Sequence, residues 1–134
     1  MDISVIDKSQ VKPFQPAQAY DGLPEISDIS FDLWFLTITV YFQQIVKPVY
    51  IKFDGIRGFR VLDEGDLLEF WNPELRADGW LWIVEKGGWF DLESTRNGFV
   101  SGVTGGYSEF LILGENECVS VITEGSPEIY TPKH

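Results

Sequence analysis

The chain has 134 residues, 44% of them hydrophobic, and 21 acids against 10 bases give it a net charge of −11. That length and apolar content describe one globular domain, able to bury about two-thirds of its unfolded surface without disulfides or metals, and they exclude a disordered chain. The charge argues against proteins that hold nucleic acid by its phosphates and against docking on anionic membranes, while a basic protein partner would be steered inward.

The single cysteine, Cys118, has no internal disulfide partner, which fits a reducing compartment. The opening stretch MDISVIDKSQVKPF has no apolar run of signal-peptide length. No segment approaches the roughly 18 uninterrupted apolar residues of a membrane span. The expected location is therefore cytoplasmic.

In chain order, residues 1–27 read as an irregular leader, broken by Pro13, Pro16, Gly22 and Pro24. Phe14, Tyr20 and Leu23 are placed to pack it across the body. Residues 28–134 read as one β domain. FDLWFLTITVYF, from Phe31, is rich in β-branched and aromatic residues, and its apolar side chains at both parities predict a strand covered on both faces. VYIKF alternates, with Val49, Ile51 and Phe53 on one side. Asp54-Gly55 is a turn dipeptide, and IRGFRVL follows as a strand with Gly58 as a bulge position. DEGD is an acidic turn, LLEFW a short strand or helical turn stopped by Asn72-Pro73, and ELRADG a loop or one helical turn. The glycines of STRNGFVSGVTGG mark an exposed hairpin or loop, and YSEFLILG and CVSVITEG are two further strands. About seven short strands separated by turn signals predict an all-β fold, or a β-rich one with one short helix, built as an antiparallel β-sandwich or a strongly twisted antiparallel sheet.

The stretch GWLWIVEKGGWF holds Trp80, Trp82 and Trp89, three of the five tryptophans. Read as a hairpin turning at Glu85–Gly88, it pairs Val84 with Trp89, Ile83 with Phe90, Trp82 with Asp91, Leu81 with Leu92 and Trp80 with Glu93. One face is then Leu81, Ile83, Phe90 and Leu92, entirely apolar. The other sets the three tryptophans beside Asp91 and Glu93, and carboxylates resist burial. The aliphatic face is expected in the core. The tryptophan face is expected as a partner-binding surface, unless Phe14 and Tyr20 of the leader cover it.

Catalytic chemistry is sparse. The sole histidine is His134, so no Ser-His-Asp, Cys-His or zinc site of the usual kind can be built. GVTGGY lacks the lysine and following helix of a phosphate-binding loop. Two carboxylate mechanisms survive: an acid pair hydrolysing a glycosidic bond, and calcium held by Asp63, Glu64 and Asp66 of DEGD, which lacks EF-hand spacing and reads more simply as a turn. The expectation is no enzyme, no metal and no cofactor. Residues 54–93 carry ten acids and four bases, net −6, so Asp63, Glu64 and Asp66 join the tryptophan face as candidate partner-binding residues.

VYIKFDGIRGFRVLDEGDLLEFW followed by SEFLILGENECVSVITEGSPEI resembles small immunity proteins of bacterial polymorphic and contact-dependent toxin systems. The matching positions are Phe53-Asp54-Gly55-Ile56-Arg57-Gly58-Phe59, the strand Glu109-Phe110-Leu111-Ile112, and the closing strand Cys118-Val119-Ser120-Val121-Ile122-Thr123. The likeness spans residues 30–130 and consists mostly of core β patterning; neither the leader nor WLWIVEKGGW belongs to it. It implies a cytoplasmic protein that binds one toxin domain, a basic nuclease in many systems, and blocks it without catalysis. The alternative is a carbohydrate-binding β-sandwich in which Trp80, Trp82 and Trp89 stack on sugar rings.

Overall fold

The computed structural model describes residues 11–63, 79–85 and 107–132. These residues form an antiparallel β-sandwich of nine strands. They are β1 (Val11–Pro13), β2 (Glu25–Phe31), β3 (Phe35–Tyr41), β4 (Val49–Asp54), β5 (Ile56–Asp63), β6 (Leu81–Val84), β7 (Ser108–Leu113), β8 (Glu117–Thr123) and β9 (Glu128–Tyr130). One sheet has the order β1-β6-β7-β8-β5, the other β2-β3-β4-β9. No helix among the described residues is long and apolar enough to cross a membrane.

Alternation builds the four-stranded sheet. Leu36, Ile38 and Val40 of β3 and Val49, Ile51 and Phe53 of β4 point inward and are fully buried. They meet Leu81, Phe110, Ile112, Val119 and Val121 of the five-stranded sheet in one apolar cluster, where the Phe53 and Phe110 rings lie 5.7 Å apart, edge to face. The other sides of β3 and β4 carry Thr37, Thr39, Tyr50 and Lys52 outward, so among the described residues this sheet is covered on one face only. The two-sided burial expected for FDLWFLTITVYF does not occur, because the chain turns at Asp32–Trp34 and divides that run between β2 and β3.

The chain crosses between sheets at Asp54-Gly55, with Gly55 at φ +58°. Thr123 Oγ1 donates to the Asp54 carbonyl at 2.7 Å, and the Glu124 amide to Gly55 O at 3.2 Å, tying this corner to the β8–β9 crossover. The predicted bulge in β5 occurs at Arg57, between Ile56 and Gly58.

From Val11 onward the leader is part of the fold. Val11–Pro13 pairs with β6 as an edge strand, where proline is tolerated. A 3₁₀ turn, Gln15–Ala19, follows, and residues 25–27 already belong to β2.

Gly114, in the β7–β8 turn, donates its amide to Glu117 O at 2.8 Å. A Cβ there would lie 2.9 Å from that carbonyl and 2.8 Å from Ile26 Cδ1. Backbone cannot step aside as a side chain can. Gly114→Ala should therefore cost about 1–3 kcal/mol in a urea titration.

Candidate binding surface

The sequence pointed to Trp80 and Trp82, and the structure buries both, at 2% and 3% exposure. Trp80 sits in the main core against Phe42, at 5.1 Å between rings, and Tyr20, at 6.3 Å. Its Nε1 donates to Ala17 O at 3.0 Å, so the leader's 3₁₀ turn caps it. Trp82 lies on the opposite face of the five-stranded sheet. There it joins Val11, Val84, Leu111, Leu113 and Cys118 in a second apolar cluster, with Leu23 and Leu62 against it.

The expected parity holds only within β6, where Leu81 and Ile83 face the main core while Trp82 and Val84 face the other way; Trp80, expected beside Trp82, precedes the strand and turns into the main core instead. The expected wetness fails, because that other face is buried too. The hairpin register also fails. Both edges of β6 are taken, by β1 (Pro13 opposite Trp82, Val11 opposite Val84) and by β7 (Leu111 opposite Trp82, Glu109 opposite Val84). Trp80 and Trp82 are thus removed as a landing surface, for a protein or for a sugar ring. Trp89, Asp91, Glu93, Glu64 and Asp66 lie outside the described residues. Asp63 is exposed at the end of β5, opposite Glu117, in the other sheet from the surface described next. Among the described residues no group of three acids, histidines or cysteines is placed to hold a metal.

Among the described residues, the accessible aromatic surface lies on the outer face of the four-stranded sheet. Antiparallel pairing lays rows of outward side chains across it: Asp28, Thr39, Tyr50 and Tyr130 in one, Ser30, Thr37, Lys52 and Glu128 in the next. Tyr50 and Tyr130 lie 5.3 Å apart between ring centroids, and Lys52 Nζ stands 4.0 Å over the Phe35 ring. Tyr41 is exposed at one end beside Glu25, and Phe35 at the other opposite Asp54. Glu25, Asp28, Asp32, Asp54 and Glu128 set five carboxylates on this face and its tip against one lysine, Lys52, a net of −4.

That tip is the β2–β3 turn, and it is unusually apolar. Leu33 is 81% exposed and Trp34 78%, with Phe31 and Phe35 partly exposed on either side. Asp32 fixes the turn: its Oδ1 accepts the amides of Trp34 at 2.9 Å and Phe35 at 2.7 Å, while its own amide donates to Phe35 O at 3.2 Å. The Phe35 amide bond and then the Trp34 bond favour the ionised carboxylate and hold its pKa below the ordinary aspartate value of 3.8. A depressed pKa means the bonds hold at neutral pH and weaken as pH falls through the folded-state value. In an NMR acid titration the Trp34 and Phe35 amide shifts should move together, with a midpoint below 3.8.

Sequence reasoning passed over this tip because Phe31–Phe35 read as continuous strand. The available signal was Asp32, an aspartate inside an otherwise apolar run, of the type that caps turns. A cleft of about 280 Å³ lies between the leader and β6, lined by Phe14, Tyr20, Asp21 and Trp80 among others, and it presents little of the Trp80 indole. Comparison with family models, curated proteins and solved structures gave no match.

Proposed function

We propose that this chain is an immunity-type inhibitor: a protein that binds a basic bacterial toxin domain, a nuclease in the reading we favour, and blocks it from the cytoplasmic side without catalysis. The observation that carries the reading is the outer face of the four-stranded sheet, where tyrosines, Phe35 and the Leu33-Trp34 tip share one surface with five carboxylates and a single lysine. Exposed aromatics supply contact area at small entropic cost, and the surrounding acids select and steer a cationic partner. Four strands about 4.8 Å apart and about 20 Å long present roughly 300–400 Å² of flat face. That is about half the ~800 Å² per partner of a standard interface, so the tip and the rims must take part. The resemblance of residues 30–130 to immunity proteins supports the same reading, as does the overall charge of −11.

An immunity gene sits beside its toxin gene, so the probe is the C-terminal domain of the protein encoded directly upstream of this chain. That domain should form a one-to-one complex with the chain and lose its toxic activity on titration. Asp28→Lys with Glu128→Lys, which replaces two outward carboxylates by cations, should slow association about tenfold or more at low salt and flatten its salt dependence, measured by stopped flow. Binding to insoluble glucans and to no protein would sink the reading.

A further inference from the structure

The Leu33-Trp34 tip is more specific than a general sticky patch. Leu33 holds φ +80°, a left-handed conformation that costs a leucine about 1–2 kcal/mol and a glycine almost nothing. At 81% exposure its side chain returns nothing to the core. Yet the turn is held by three hydrogen bonds through Asp32, so the conformation is fixed before any partner arrives. Strain kept at an exposed position by bonds that over-determine it points to a use outside the chain. A rigid knob of leucine and tryptophan loses little entropy on docking.

The surroundings say what receives it. Asp54 lies opposite Phe35, and Glu124 closes on Gly55 at the same corner. With Asp32, three carboxylates stand against two cations, Lys52 over the Phe35 ring and Arg57 donating to the Tyr107 hydroxyl at 2.7 Å, which leaves the corner at −1 within the more acidic sheet face. A bilayer would have to take Asp32 in with Trp34, and anionic headgroups would be repelled. An apolar hole in a protein, rimmed by Lys or Arg, satisfies both the indole and the carboxylates. We infer that Leu33 and Trp34 form a preorganised anchor that plugs an apolar, basic-rimmed pocket on the partner, so that the tip rather than the flat sheet carries most of the affinity. This rests on the inhibitor reading above.

The test is calorimetric titration of the upstream-encoded domain with wild type, Trp34→Ala and Leu33→Gly at near-physiological salt. Trp34→Ala should keep its melting temperature within about 2 °C and lose at least 30-fold in affinity. Leu33→Gly should melt a few degrees higher, from relief of the left-handed leucine, and also bind more weakly. If both variants bind within about threefold of wild type, the anchor is overturned while the inhibitor reading stands. If wild type sediments with phosphatidylcholine vesicles and Trp34→Ala does not, the knob is a lipid anchor and the protein pocket is overturned. If the domain fails to bind wild type at all, the inhibitor reading falls, and the partner assigned to the tip falls with it.

Discussion

Trp80→Ala should destabilise the protein by about 3–5 kcal/mol, seen as a lower urea midpoint with little change in slope. Three losses add. The indole leaves contacts with Phe42 and Tyr20 in the main core. The Ala17 carbonyl loses its 3.0 Å donor, worth about 1 kcal/mol. The leader loses the partner that holds its 3₁₀ turn against the body. The adjoining cleft of about 280 Å³ works the other way, since water could enter the vacated space, and it moves the expectation toward the lower end of that range. Mesophilic domains have only about 5–15 kcal/mol to lose, so the variant should be marginal. A cost under about 1 kcal/mol would mean that Trp80 is not buried in solution.

Trp34→Ala is the opposite case with the same residue type. At 78% exposure it should change stability by less than about 0.5 kcal/mol. Its effect belongs to the complex, where a loss of about 2 kcal/mol or more, thirtyfold in affinity, is the signature of a hot-spot tryptophan. The loss should appear in the dissociation rate, because the carboxylates that steer association are untouched. The charge reversals at Asp28 and Glu128 should do the reverse and act on the association rate. The two sets of variants thus separate anchor from steering.

The all-β class was legible because period-2 alternation is strong in VYIKF and in the paired strands YSEFLILG and CVSVITEG. β2 was not legible as a strand. Its inward residues are Ile26 and Ile29, three apart, because a bulge between Ile26 and Asp28 inserts a residue and breaks the alternation. β1 is three residues long and ends in proline, a pattern that also describes a loop. The tryptophans misled for a different reason. Alternation holds from Leu81 to Val84 but not for Trp80, which precedes the strand and joins the main core, and parity says which residues share a face, not what lies over that face. The neighbours of β6 are β1, from the far end of the chain, and β7, and local pattern reveals neither. The exposed tip escaped notice because hydrophobic residues were assigned to the core by type, whereas the turn geometry set by Asp32 turns Leu33 and Trp34 outward.

The central claim is that the binding surface is the outer face of the four-stranded sheet and its tip. Hydroxyl-radical footprinting of the free chain and of its complex with the upstream-encoded domain tests it residue by residue, since aromatic side chains are readily oxidised where solvent reaches them. Trp34, Phe35, Tyr50 and Tyr130 should be oxidised in the free protein and protected in the complex, with Trp80 and Trp82 unreactive in both. Ready oxidation of Trp80 and Trp82 in the free protein that is suppressed in the complex, with Trp34 equally reactive in both states, would contradict the account.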